Sequence, residues 1–321
     1  MTPLSTRLRC TGEERSRCGR TGDSSEFRTP EQGRVVRISG GLCWVLVTAG
    51  TLVCTARGKV KKSEAGVMVG DRVIVSQADH GGVVEEVLPR VNQLTRPYVA
   101  NVDQAIVVTS VVRPEPNLFL LDRILVQVEH VGLDVVVCVT KIDLAKPSDY
   151  RGIGETYTAV GYPVITTSTV TRTGVRTLAG VLRDKTSVFA GPSGAGKSAL
   201  LNMVQPGHNL VEGDVSRKIG RGRHTTREVR LIQLDTGGFV ADTPGFSALD
   251  IDFLKPEELA FTFPDIRAAE TGCRFAGCMH DAEPGCAVKA AVEEGRVPRV
   301  RYENYLRFLA ELREAERRQY R

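Results

Sequence analysis

One run constrains this chain more than any other: Gly191-Pro192-Ser193-Gly194-Ala195-Gly196-Lys197-Ser198. Its spacing, G-x-x-x-x-G-K-[ST], is that of a loop which wraps the phosphates of a nucleotide. The flanks agree, because Thr186–Ala190 reads as a buried strand and Ser198–Asn202 as the start of a helix. Small residues at Gly191, Gly194, Ala195 and Gly196 let the backbone fold around a phosphate chain with its N–H groups pointing inward. The helix start adds its dipole, Lys197 a positive charge, and Ser198 a hydroxyl suited to Mg²⁺. Pro192, Ser193 and Ala199 complete the nucleotide-binding set expected here. A glycine-rich turn with a chance Lys-Ser would explain neither the spacing nor the flanks.

A length of 321 residues suggests about two domains, with room for a third. The hydrophobic share of 41% and charged share of 25% are those of an ordinary globular chain. No apolar run approaches the roughly 18 residues of a membrane span. Residues 1–32 mix Arg, Ser, Thr, Gly and acids with no apolar stretch, so a secretory signal is not expected. Acidic residues there disfavour a transit peptide, and a disordered extension is the expectation. The expected location is therefore the cytoplasm, with no membrane partner.

From Gly33 to about Pro89 the text is short β-rich runs broken by glycine. Val35–Ile38, Cys43–Val47, Leu52–Thr55, Arg72–Val75 and Val83–Val87 make five strands, which fits a small barrel of the OB type over residues 33–97. Such barrels often offer a face to single-stranded nucleic acid, and Trp44 is either a stacking platform or a core residue. After a junction at Asn92–Ala100 the pattern alternates strand and helix, as a parallel sheet with helices on both faces requires. Ala105–Thr109, Val135–Val139 and Val164-Ile165 read as strands. Leu118–Val131, Tyr150–Val160 and Gly174–Arg183 read as helices.

At the end of the second of those strands stands Thr140-Lys141-Ile142-Asp143. It matches the guanine motif [N/T]-K-x-D. A carboxylate accepts both the ring N1–H and the exocyclic amine of guanine, whereas adenine lacks that pair of donors. The stem of Lys141 can lie along the base, and Thr140 stands where Asn is commoner. Thr166-Thr167-Ser168, after the next strand, is placed to face the base with its backbone. Beyond the phosphate loop, Gly220–Thr226 ends a glycine-rich basic segment in Thr225-Thr226. That is what a switch needs if hydroxyls are to close over Mg²⁺ and a γ-phosphate; a basic surface loop is the other reading. Asp242-Thr243-Pro244-Gly245 ends a strand as D-x-x-G, with Asp242 directed to Mg²⁺ and the Gly245 N–H to the γ-phosphate.

Eight cysteines divide into five scattered ones (Cys10, Cys18, Cys43, Cys54, Cys138) and a group of three. Cys273, Cys278, His280 and Cys286 give C-x₄-C-x-H-x₅-C, three thiolates and an imidazole able to close a tetrahedral structural Zn²⁺ site. In so short a segment, metal binding would supply folding energy. Ala287–Glu294 and Tyr302–Arg313 read as helices. The net charge is +5, and the excess is uneven. Arg217, Lys218, Arg221, Arg223 and Arg227 crowd one loop. Arg296, Arg299, Arg301, Arg307, Arg313, Arg317, Arg318 and Arg321 load the C-terminus, which suits a phosphate-rich partner or else forms a solvated helical face.

The motifs run base, small loop, phosphate loop, first switch, second switch. This is a circular permutation of the usual guanine-nucleotide-binding order. Following a small β-barrel, it resembles the ribosome small-subunit-dependent GTPase A family over about Gly33 to Ala310. Arg96-Pro97, Ala100–Gln104, Gly222-Arg223-His224-Thr225-Thr226, Asp242–Phe246 and Cys286–Lys289 carry the likeness beside the phosphate loop. The resemblance implies an OB-fold barrel (33–97), a circularly permuted α/β P-loop GTPase domain (98–250) and a small zinc-binding helical domain (251–321). It also implies hydrolysis of GTP to GDP, stimulated by the small (30S) ribosomal subunit and its 16S rRNA late in assembly, by a monomer. Phe246 occupies the place of the usual water-positioning Gln, and the resemblance gives that role to His224; a contact to RNA phosphate is the alternative. Ser198, Thr225, Thr226 and Asp242 are the expected Mg²⁺ set. Two other classes stay open. A P-loop ATPase or kinase would leave Lys141 and Asp143 unexplained, and a nucleotide-sensing RNA-binding module would share every binding motif while barely hydrolysing.

Overall fold

The computed structural model describes residues 29–61, 66–78, 81–95, 97–207, 229–242 and 250–319. The first segment is five strands: β1 (Glu31–Ser39), β2 (Leu42–Val47), β3 (Gly50–Ala56), β4 (Arg72–Ala78) and β5 (Gly81–Val87), with a single turn α1 (Gly58–Lys61) after β3. Neighbours run β1-β2-β3-β5-β4, and β4 pairs back on β1 through Glu31↔Val75 to Arg34↔Arg72, so the sheet closes. Closure removes the edges that would otherwise invite pairing with another chain. Alternate residues Val35, Cys43, Val45, Val47, Cys54, Val73, Val75 and Val84 fill the interior. Trp44 lies outside that core. It is half-buried on the outer face, with the Arg37 guanidinium 4.5 Å from its ring centre.

A hairpin, β6 (Gln93–Thr95) with β7 (Tyr98–Ala100), leads into the α/β part. There β8 (Gln104–Ser110), α2 (Leu118–His130), β9 (Asp134–Thr140), α3 (Pro147–Val160), β10 (Val164–Thr166), α4 (Val175–Leu182), β11 (Thr186–Ala190) and α5 (Lys197–Val204) follow in turn. The antiparallel pair β12 (Arg230–Gln233) and β13 (Phe239–Asp242) closes this part. Strands β10-β9-β8-β11-β13 are parallel neighbours. Helices cover both faces, which is why β8 and β11 are buried at every position and read as unbroken apolar runs. The sequence reading lacked β12, whose Arg230 pairs with Arg37 of β1. That contact joins barrel and parallel sheet into one eleven-stranded sheet.

The remainder is helical: a 3₁₀ turn (Pro256–Thr262), α6 (Pro264–Glu270), α7 (Ala287–Glu293) and α8 (Arg299–Gln319). Its core of Leu259, Phe263, Ile266, Val288, Ala291, Tyr305, Phe308 and Leu309 includes Val126 from α2. Helix α2 thus serves two cores at once, because its Leu121, Ile124 and Leu125 pack on the parallel sheet.

Arg301 corrects the sequence reading. Counted there with the basic C-terminal patch, it is 1% exposed. Its Nε and Nη2 donate to Asp265 at 2.9 and 2.8 Å, and its Nη1 to Asp122 Oδ1 at 2.6 Å. Asn304 and the Tyr157 hydroxyl donate to the same Asp122 at 2.6 and 3.0 Å. Burial opposes the Arg301 charge, but the two carboxylates outweigh it and hold its pKa above the ordinary value. Arg313 is also engaged, with Asp281 at 2.8 Å, and Arg296 with Glu294 at 2.6 Å. Among the described residues no helix is long and apolar enough to cross a membrane.

Candidate functional site

Every site motif of the α/β part that falls on described residues follows the C-terminal end of a parallel strand. Thr140–Asp143 follows β9, Thr166–Ser168 ends β10, the phosphate loop follows β11, and Asp242 ends β13. The carboxyl edge of such a sheet is where a ligand finds loops and helix N-termini converging.

The phosphate loop needs glycine at its first turn. Gly191 has φ +140°, and a Cβ there would lie 2.2 Å from the Val108 carbonyl oxygen on β8. No side chain fits so close a backbone approach. The Lys197 ammonium folds back over the loop and donates to the Gly191 and Pro192 carbonyls at 2.8 and 2.9 Å. Burial pushes its pKa down to about 8. A phosphate chain entering the loop would replace those two carbonyls and restore the charge to a favourable setting. Ser198 follows on α5 and is half-buried, a hydroxyl at the loop's inner end.

The base motif is fastened to this loop. The Thr140 hydroxyl reaches Ala195 O at 2.6 Å, and Lys141 Nζ donates to Gly194 O at 2.7 Å and also to Arg113 O. Thr140, standing where Asn is commoner, therefore ties the base motif to the phosphate loop through its hydroxyl. Lys141 has φ +60°, a left-handed conformation that turns the chain into the 3₁₀ turn Ile142–Leu144 and leaves Asp143 exposed. Burial and then the nearby Arg113 charge lower the Lys141 pKa. The small loop closes the same wall. Ile142 N donates to Thr167 O at 3.3 Å, Thr167 N to Val139 O at 2.7 Å, and Thr171 N to Ser168 Oγ at 3.1 Å. Thr167 and Ser168 are wholly buried. Gly174 lets the loop return, since a Cβ on it would meet Thr166 O at 2.1 Å.

The structure thus brings Thr140, Lys141, Ile142, Thr167 and Ser168 together with Gly194–Ser198. His224, Thr225, Thr226 and Gly245 lie outside the described residues, as do Arg217–Arg227, and only the backbone of Asp242 is described.

A second centre lies in the helical part. Ligand atoms of Cys273, Cys278, His280 and Cys286 all fall within 4.8 Å of one another. Tetrahedral Zn²⁺, with bonds of about 2.3 Å to sulfur and about 2.0–2.1 Å to nitrogen, sets sulfur atoms about 3.8 Å apart and sulfur about 3.5 Å from nitrogen. Cys273 and Cys286 Sγ are 3.9 Å apart, and His280 Nδ1 lies 3.6 and 3.5 Å from them. The donor set fits a metal such as zinc. Glu270, which sequence reasoning missed, puts a carboxylate oxygen 3.5 Å from His280 Nε2. It stands beside the ring nitrogen opposite Nδ1, and that nitrogen has no hydrogen-bond partner among the described residues. The Arg301–Asp122–Asp265 group was missed as well. Its signal was charge inside apolar helical stripes: Arg301 in register with Tyr305, Phe308 and Leu312, and Asp122 amid Leu121, Ile124 and Leu125.

Comparison with known proteins follows the same division. The family description RsgA GTPase matches residues 87–252, and RsgA N-terminal domain matches residues 32–84. A protein of Caldanaerobacter subterraneus described as small ribosomal subunit biogenesis GTPase RsgA is 46% identical over 290 residues, covering 90% of this chain and 98% of its own. The protein of that description from Bacillus subtilis is 40% identical over 292 residues, covering 88% and 98%. Among solved structures, YjeQ from Thermotoga maritima superposes with a TM-score of 0.78 at 38% identity, over 88% of this chain and 99% of the other. YloQ, described as a circularly permuted GTPase, gives 0.76 at 37% identity, over 89% and 96%.

Proposed function

Because the chain belongs to the RsgA GTPase family of GTP hydrolases, we propose that its turnover is coupled to docking on the small ribosomal subunit during late maturation. One observation carries the nucleotide half of this reading: the base motif and the phosphate loop are one wall, tied by Thr140 to Ala195 and by Lys141 to Gly194. A guanine held at Asp143 therefore sets the position of the phosphates at Lys197.

In this account Thr140, Lys141, Ile142, Asp143 and Thr166–Ser168 hold the base, and Gly191–Ala199 hold the phosphates. Ser198, Asp242, Thr225 and Thr226 form a set of hard oxygen donors suited to Mg²⁺, which would neutralise charge between the phosphates. The Gly245 N–H meets the γ-phosphate. His224 orients the attacking water once the subunit orders the first switch, since Phe246 cannot. Cys273, Cys278, His280 and Cys286 hold one structural Zn²⁺, and its donors leave no open position for catalysis. The partner surface is 16S rRNA, met by a monomer.

The test is GTP turnover with and without purified small subunits. The account expects strong stimulation in the wild type, lost in His224→Ala while GTP affinity is kept. Equal turnover with and without subunits would remove the coupling, and a His224→Ala protein as fast as wild type would remove that residue's role.

A further inference from the structure

The helical part carries a groove whose chemistry differs from that of a nucleic-acid surface. A cavity of about 430 Å³ opens between the 3₁₀ turn, the end of α6 and the metal-binding loop. Its rim carries Phe261 and Phe275, 59% and 46% exposed, and Ala260, Met279 and Tyr305 also line it. The exposure of Phe261 stands against its surroundings. Leu259, Ala260, Thr262 and Phe263, on either side of Phe261, are buried, so the turn sends one aromatic outward while its neighbours build the core. Exposed aromatic surface beside a concavity is where a partner's anchor residue gains most from leaving water.

Charge decides the partner's class. Glu257 and Glu270 are the charged residues lining the groove, and neither lysine nor arginine lines it. Arg274, 5.4 Å from the Phe275 ring centre, is not among the lining residues. A phosphate backbone placed here would face two carboxylates. A cationic chain would find them complementary.

We propose that this groove is a protein-docking site. It takes a Lys- or Arg-rich peptide segment that seats one large apolar side chain between Phe261 and Phe275 and sets its charges against Glu257 and Glu270. Cys273, Cys278 and His280 line the same cavity, so a metal held by them would also shape the site. The inference does not rest on the ribosomal partner. It adds a protein contact to a chain whose motifs otherwise speak of nucleotide and RNA.

The probe is a fluorescein-labelled peptide of about twelve residues, Lys and Gly around a central Trp, titrated against the full zinc-loaded chain by fluorescence anisotropy. Two peptides are compared with it, one with Gly for the Trp and one with Glu for each Lys, together with a labelled uridine oligonucleotide of equal length. Binding of the Trp-Lys peptide in the range of about 10–500 µM is expected, weakened about tenfold by loss of the Trp and abolished by the charge swap. Phe261→Ala should weaken it about tenfold and Glu257→Lys about fivefold, with zinc content and circular dichroism unchanged. Phe275→Ala serves as a second variant, and Glu270 is left alone because it faces a metal ligand. Three results would overturn the proposal. They are no peptide binding, peptide binding indifferent to the Trp and to both variants, or oligonucleotide binding that falls in Phe261→Ala and is not displaced by the peptide.

Discussion

The phosphate loop stands on a parallel sheet whose central strands are buried along their whole length, whereas the Cys273–Cys286 loop lies between α6 and α7 and is tied to α8 through the Tyr302 and Tyr305 hydroxyls. Both are short turns whose spacing announces a ligand, and they are held in opposite ways. The first is positioned by the buried core of the sheet, and Lys197 donates to the loop's own carbonyls there. The second gathers four donors within 4.8 Å in a segment of about seventy residues, a size at which an apolar core alone supplies only a few kcal/mol. In one case the sheet supplies the scaffold's stability. In the other, much of the scaffold's stability is expected to come from the ligand.

The comparison breaks most visibly on metal removal. Chelation should strip hydrogen-exchange protection from residues 251–319, a loss on the order of 10 kcal/mol for that part. Nucleotide affinity, resting on the sheet, should change by no more than about twofold. Protection unchanged after verified loss of zinc would put both loops in the first class.

Next in size is the joint between the two regions. Arg301→Met leaves the Asp122 and Asp265 carboxylates buried without their cation, at a cost of about 3–5 kcal/mol in urea unfolding of the zinc-loaded protein. Arg301→Lys, which keeps the charge but not the fork, should recover only part of it. A loss below about 1 kcal/mol in Arg301→Met would mean that α2 and α8 are held by apolar packing alone.

Within the nucleotide site the effects are smaller. Thr140→Val keeps the shape and removes the hydroxyl that reaches Ala195 O, which should weaken GDP binding about fivefold. Lys197 gives a pH dependence of definite sign. Its pKa is low in the free loop and is raised by bound phosphate, so below about 8 it is already charged and affinity is flat. Above that value binding must take up a proton, and affinity falls as pH rises. Calorimetry should find GDP bound about fourfold more weakly near pH 8.5 than near pH 7, with proton uptake; a flat profile would mean that the lysine is not desolvated.

The two regions also differed in how far they could be read from sequence. In the α/β part, the strands at Ala105–Thr109, Val135–Val139 and Thr186–Ala190, and the loops after them, stand where period and motif put them, because buried parallel strands are contiguous apolar runs. The five barrel strands were legible for a related reason, alternation broken by glycine. The short β12 carried no such signal, since a four-residue strand with Arg230 and Gln233 at its ends looks like loop. In the helical part the Cys/His spacing was plain, yet α6 and the 3₁₀ turn were not seen, because elements of seven residues lack a long periodic stripe. Arg301, on the long α8, was misplaced for another reason. A charge reads as surface until its partners, here far apart in sequence, are brought beside it.

The account stands most directly on guanine selection at Asp143, measured as competition between GTP and ATP for the wild type and for Asp143→Ala. If the Asp143 carboxylate pairs with both guanine donors, as proposed, the preference for GTP is at least about a thousandfold and falls to within about tenfold in the variant. Comparable binding of ATP by the wild type, or a preference that survives Asp143→Ala, would contradict it.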